Sequence, residues 1–210
     1  MYNLPHYKEK DAAVVIDFMK QHPFGMLVGV DVHNKPVATQ VPFLFVEKEG
    51  ELYLQAHIMR GNDHHLAFAH NSHVLALFTG PHTYVSASWY ENKQQGSTWN
   101  YMTVQAKGTI SFLEEPALLD ILDRLTSYYE NNPASPSLYK ELPEEYITRL
   151  SKAIVGIEIK VTAIEHVFKL SQNRDKKSYE NIIAQLEQSH AGAAAIAAEM
   201  KKRKNQLFPS

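Results

Sequence analysis

FGMLVGVDVHNKPVATQVPFLFVEKEGELYLQAH, Phe24 to His57, decides the fold class of this chain. Phe24–Val32, Pro36–Val46 and Leu52–His57 are rich in β-formers, and short polar turns separate them: His33-Asn34-Lys35 and Glu47–Gly50. Three such runs joined by tight turns predict antiparallel strands in a meander. Working outward, Asp11–Gln21 carries Val14, Val15, Phe18 and Met19 at helical spacing, and Pro23 closes that helix. Downstream, Arg60-Gly61-Asn62-Asp63 interrupts the strand pattern, and His64–His70 reads as a short helix capped by Asn62 or Asp63.

Further strands are expected at Val74–Thr79, Tyr84–Ser88, Met102–Leu113 (bent at Gly108) and Ile154–Phe168. Helices are expected from Glu114-Glu115-Pro116 to about Glu130, at Glu144–Lys152, and from Ser178 onward. Six or seven strands with peripheral helices predict a mainly β, α+β fold: a closed or nearly closed antiparallel barrel with helical decoration. The domain reading is one domain over 1–175 and a C-terminal helical extension over 176–210.

Composition narrows the function. The chain has 210 residues, 44% of them apolar, with a formal net charge of -2 and no cysteine. Disulfides, thiolate nucleophiles and cysteine-based metal sites are thereby excluded. The opening MYNLPHYKEKDAA lacks the basic-then-apolar pattern of a secretion signal, and no apolar run approaches the roughly 18 residues of a membrane span. A cytoplasmic protein with no membrane partner is expected. His57, His64, His65, His70 and His73 cluster, but no pair has i, i+4 spacing, so no metal site is assigned. Gly-x-Ser-x-Gly, phosphate-binding and dinucleotide-binding loops are all absent, and no catalytic residue is assigned.

Three segments carry candidate chemistry. The strand-to-helix turn with His57, Arg60 and Asn62 offers free N–H groups, a dipole end and a guanidinium, a combination that suits phosphate. Both tryptophans, Trp89 and Trp99, flank the polar insert Glu91–Ser97, with Tyr90, Asn100 and Tyr101 beside them. They either clamp each other across a hairpin or edge a pocket for a planar heteroaromatic ligand. FKLSQNRDKK, Phe168–Lys177, suits anion binding and equally suits a solvated strand exit.

ATQVPF (Ala38–Phe43), YVSASWY with STWNYMTVQAKG (Tyr84–Gly108) and FKLSQNR (Phe168–Arg174) together resemble the PaiB-type FMN-binding negative transcriptional regulators. The resemblance runs in order along nearly the whole chain. It implies the FMN-binding split β-barrel, FMN as cofactor, and a homodimer with the flavin at the subunit interface. Thr39, Gln40, Val41 and Pro42 would then lie beneath the flavin ring, and His57, Arg60 and Asn62 would hold its phosphate. Trp89, Trp99, Asn100 and Tyr101 would lie near the cofactor or the dimer interface. Lys169, Ser171, Gln172, Asn173 and Arg174 would complete the site from the second subunit. The chain departs from the family pattern at Gln40, where histidine is expected, at Ala87, where proline is expected, and at Gly96-Ser97, where Val-Pro is expected. These changes are expected to loosen the loop between the tryptophans.

Three functions follow from this reading: a negative transcriptional regulator, an FMN-dependent oxidoreductase, or a ligand- or haem-binding protein without DNA contact. No helix-turn-helix pair stands out. For DNA the candidate contacts are Lys176-Lys177 and the terminal KKRK, Lys201–Lys204.

Overall fold

The structure, a computed structural model, describes residues 1–209. Helix α1 spans Ala12–Gln21, with the Asp11 carboxylate accepting from the Ala13 N–H at its start. Strands β1 (Phe24–Val30) and β2 (Pro36–Pro42) pair antiparallel from Phe24↔Pro42 to Val30↔Pro36. Asp31 shapes the turn between them, its carboxylate accepting from the N–H groups of His33 and Lys35. Strands β3 (Leu44–Lys48) and β4 (Glu51–Met59) form a second hairpin, closed by Glu49 and Gly50, both at positive φ. Two left-handed residues at a two-residue turn match the right-handed twist of the flanking strands.

The chain continues through α2 (Asp63–His70), β5 (His73–Val85), β6 (Thr98–Leu113), α3 (Glu115–Glu130), α4 (Glu144–Ala153) and β7 (Ile154–Lys169). It ends in α5 (Lys176–Glu187) and α6 (Ala191–Leu207). No helix of the described residues is long and apolar enough to cross a membrane.

The seven strands form one sheet in the order β2-β1-β5-β6-β7-β4-β3. The predicted meander is therefore corrected: Pro36–Val46 is not one strand, and β2 and β3 stand at opposite ends of the order although only Phe43 separates them. A flat sheet would hold those edges about 29 Å apart, whereas one residue spans about 3.5 Å. The sheet must roll until its edges meet. Phe43 is the pivot: its N–H donates to the Pro23 carbonyl, and its ring is buried against Phe78.

Two further boundaries differ from expectation. Gly80-Pro81 does not divide two strands, because β5 runs through it; a Cβ at Gly80 would lie 2.6 Å from the Phe18 ring, so the glycine lets α1 lie close. Strand β6 starts at Thr98 rather than Met102, so Trp99, Asn100 and Tyr101 lie within it.

The chain divides into two compact units. The first comprises Met1–His22, Thr79–Val104 and Glu165–Ser210; the second comprises Pro23–Phe78 and Gln105–Ile164. In the first unit α5 and α6 pack as a hairpin, burying Ile182, Leu186, Ile196 and Met200, and the Tyr179 hydroxyl donates to the Met200 carbonyl at 2.9 Å. Ala193 and Ala197 are fully buried, which explains the alanine-rich sequence: small side chains let this helix approach its neighbours. In the second unit Leu27, Leu54, Ala56, Ile157 and Ile159 are buried on strands whose side chains alternate between faces.

Candidate functional site

The predicted site residues fall into two sets, one in each unit. In the second unit His57 sits on β4 opposite Gly156. Burial holds its imidazole below the usual histidine range, so the ring is neutral near pH 7. Its Nδ1 is buried without a hydrogen-bond partner. The Arg60 N–H donates to the Ala153 carbonyl, while its guanidinium is exposed and enters no ion pair among the described residues. Gly61, at φ +77°, turns the chain and donates its N–H to His65 Nδ1. Asn62 takes the N-cap position of α2 without a side-chain cap bond, which leaves first-turn donors open; the Asp63 carboxylate accepts from the His64 N–H.

Strand alternation divides the four residues expected beneath the ring. Thr39 pairs with Leu27 and Val41 with Gly25, the inward-facing residues of β1. Gln40 and Pro42 occupy the opposite face. A single flat ligand on one side of β2 would meet one pair and not the other.

In the first unit the same period-two rule separates Trp99 from Asn100. Asn100 is fully buried, whereas Trp99 is 53% exposed on the other face of β6. There the Trp99 ring meets His82 at 6.2 Å and Tyr84 edge-on at 6.0 Å. Trp89, on the short turn Ala87–Trp89, joins them, so both tryptophans line one cavity of ≈ 410 Å³ together with Leu186 and His190. His190 Nδ1 accepts from the Ala193 N–H, which leaves its other ring nitrogen as the N–H donor.

The insert between the tryptophans is anchored. The Glu91 N–H donates to Ser178 Oγ, Asn181 Nδ2 donates to the Trp89 carbonyl, and the Ala87 N–H donates to Ser97 Oγ. The expected loosening at Ala87 and Gly96-Ser97 is thus opposed by a hydrogen bond between those two segments.

On the buried side of β6, Asn100, Lys169, Ser171, Asn173 and Arg174 converge on a second, smaller cavity of ≈ 180 Å³. Sequence reasoning missed Tyr7 and Thr98 on its wall. It also missed His82 and Tyr84, although their period-two spacing with a neighbouring strand could have found them. Gln172 lies outside this cavity: its side chain bonds the Leu170 N–H and the Phe168 carbonyl and so locks its own turn. Tyr101 lines neither cavity, and burial raises its phenol above the usual range.

The terminal basic run is paired within the chain. Lys201 meets Glu187, Lys202 meets Glu199 at 2.6 Å, Arg203 meets Glu199 at 2.6 Å and Glu9 at 3.5 Å, and Lys204 meets Glu180 at 2.9 Å.

Residues 1–163 match the family described as "Putative FMN-binding domain". The chain belongs to that family. It is 34% identical over 204 residues to "Protease synthase and sporulation protein PAI 2" of Bacillus subtilis, covering 97% of this chain and 98% of that one. Among solved structures it resembles the conserved hypothetical protein Rv2991 from Mycobacterium tuberculosis, with TM-score 0.57, 14% identity, 80% of this chain and 91% of that chain covered. It also resembles the FAD and heme binding protein from Mycobacterium smegmatis, with TM-score 0.55, 17% identity, 77% and 72% covered. The fold of this FMN-binding family member is the antiparallel split barrel with peripheral helices that the sequence predicts.

FMN is the cofactor of the family. The residues present fit it. An unpaired guanidinium beside an open helix N-terminus suits a phosphate. The unpartnered His57 Nδ1 is a buried polar atom awaiting a partner. Two indoles on one cavity offer faces to a planar ring.

Proposed function

We propose that this FMN-binding protein is a cytoplasmic negative transcriptional regulator that works as a homodimer, with flavin occupancy setting its regulatory state. The observation that carries the flavin assignment is Arg60, exposed and in no ion pair among the described residues, beside the uncapped N-terminus of α2. Arg60 would grip the phosphate through its planar fork, and the first-turn N–H groups of α2 would add donors. Neutral His57 would supply one hydrogen bond without adding charge. Trp89 and Trp99 lie in the other unit and take no part in that grip; their own cavity offers faces to a planar ring. When bound, FMN supplies one- or two-electron transfer chemistry.

The homodimer is supported by the outer face of the sheet in the second unit. Phe24 is 61% exposed, and Met26, Val28, Ala38, Leu75 and Leu77 share its face through the β2-β1-β5 register. Apart from Gln40, which pairs with Met26, this sheet face is apolar, and such a face is what a second subunit would cover.

The regulatory assignment is supported by end-to-end similarity to a relative whose name ties it to protease synthesis and sporulation. Lys176 and Lys177 add a physical reason. They stand exposed in the first turn of α5, where cations oppose the helix dipole, with Asp175 at the N-cap and Glu180 as the nearby acidic groups but in no ion pair with either. Such a placement would suit an external polyanion. An oxidoreductase is the second reading, favoured by the exposure of Trp99, which leaves the aromatic cavity open to a second planar molecule.

The test combines an absorption spectrum after FMN loading and desalting with a promoter-DNA gel shift in apo and loaded protein across salt. Retained flavin bands and a flavin-dependent, salt-sensitive shift support the proposal. Retained flavin with no shift, and bleaching by a nicotinamide donor, would favour the oxidoreductase.

A further inference from the structure

Lys169 and Arg174 share the wall of the ≈ 180 Å³ cavity in the first unit, and neither has a carboxylate partner among the described residues. Lys169 Nζ donates to Thr98 Oγ1 and to the Trp99 carbonyl, both neutral acceptors. Arg174 donates to the Gln95 side chain and lies 4.1 Å over the Tyr90 ring. Burial, and then the Arg174 charge, pull the Lys169 ammonium below its usual range. Two half-buried like charges side by side are costly unless an anion comes between them.

The surroundings are built and not incidental. Ser171 holds a left-handed backbone, φ +61°, while only 3% exposed. That conformation costs a non-glycine residue about 1 kcal/mol or more. Its Oγ donates to Asn100 Oδ1 at 3.0 Å. The Asn100 amide is fully buried, and its Nδ2 reaches only the Met200 sulfur at 3.6 Å, a weak acceptor. Tyr90, beneath Arg174, is 1% exposed and its hydroxyl has no partner. Donors therefore exceed acceptors throughout the cluster.

We infer that this cavity is a binding site for a small phosphate group, distinct from the phosphate of the flavin. The room amounts to about six waters, enough for a phosphate with a few linked atoms and too little for a flavin. A tetrahedral dianion matches one ammonium, one guanidinium and several hydroxyl and amide donors better than a carboxylate does. The distinction rests on the reading above, which gives the single FMN phosphate to Arg60, and it replaces the expectation that Lys169 and Arg174 complete the flavin site from the second subunit: with that phosphate already held, this cavity is left for a second anion. The source is either free phosphate or a small phosphomonoester.

The test is calorimetric titration of the full chain in chloride buffer with inorganic phosphate, and separately with methyl phosphate, before and after FMN saturation. One phosphate per chain is expected once FMN fills the Arg60 cradle, and the same affinity is expected in Arg60→Gln without FMN. Binding should weaken about tenfold or more in Lys169→Gln. It should weaken at least as much in Asn173→Asp, which places a carboxylate on the wall at an exposed position and spares the packing. Tighter binding of methyl phosphate would point to a phosphomonoester, and tighter binding of inorganic phosphate to the free ion; both support the site. Loss of the phosphate signal on FMN saturation would overturn the inference by making this the flavin's own phosphate site. Equal affinity in wild type and Asn173→Asp would overturn it as an adventitious ion only. If the protein takes up no FMN, the comparison of wild type with Asn173→Asp still decides.

Discussion

The Ala87 N–H donates to Ser97 Oγ across 3.0 Å, joining the two ends of the segment that separates the tryptophans. Both residues stand where the resemblance leads to an expected proline. Proline at 87 would have no N–H to give, so the two departures belong together: a hydrogen bond does the holding that stiff backbone would otherwise do. Ser97→Ala is expected to lower stability by about 1 kcal/mol. Thermal unfolding should show this as a fall of about 2–4 °C. No change in Tm would mean that the anchors on α5 suffice.

Arg60→Gln should weaken FMN about tenfold or more while leaving riboflavin unaffected, because only FMN carries the phosphate. Parallel titrations of the two flavins read the difference directly. Equal losses for both would remove Arg60 from the phosphate role.

Trp89 and Trp99 are the only tryptophans of the chain, and they line one cavity. Intrinsic tryptophan fluorescence therefore reports that cavity alone. A planar ring that enters it should quench this emission, and Trp99→Ala should weaken that ring's binding about tenfold; FMN and riboflavin are the rings to titrate. Full retention of affinity in the variant would place the ring elsewhere.

Burial lowers the pKa of His57, and burial is also the first cause of the lowered values of His22, His65 and His166. A histidine with a folded pKa below its unfolded one binds fewer protons when folded. Its contribution to stability is present above the unfolded pKa near 6.5 and is lost as pH falls toward the folded pKa. Denaturant unfolding at several pH values between 7 and 5 should show stability falling with pH, and the slope should be shallower in His57→Gln. An identical slope would mean that His57 is as solvated folded as unfolded.

The terminal cations are engaged by Glu180, Glu187, Glu199 and Glu9, whereas Lys176 and Lys177 are not paired in this way. Replacing Lys176 and Lys177 by Gln should weaken DNA binding and flatten its salt dependence. Replacing Lys201 and Lys202 should have the smaller effect on DNA. The reverse ranking, in a gel shift across salt, would return the tail to the DNA surface.

Much of the fold was legible in local pattern. Asp11 marks the start of α1, Glu49-Gly50 closes a hairpin, and the alternating apolar runs mark strands. These signals are local because hydrogen-bonded turns and side-chain periodicity involve neighbours in sequence. The same alternation also says, from sequence alone, that Trp99 and Asn100 cannot face one ligand once they are placed in a strand. Placing them there required β6 to extend to Thr98, and that depends on pairing partners distant in the chain.

Composition and motif determined the class, the absence of thiol chemistry and the family with its FMN. The tertiary structure decided which candidate residues meet. It split the path at Phe43, so that β2 and β3 became opposite edges of one rolled sheet. It brought Tyr7 to Lys169 and Arg174, more than 160 residues away in sequence. It spent the terminal lysines on glutamates of its own helices. The physical reason is common to all three: strand order, cavity walls and ion pairs are set by the burial of surfaces far apart in the chain, and no local sequence window contains both surfaces.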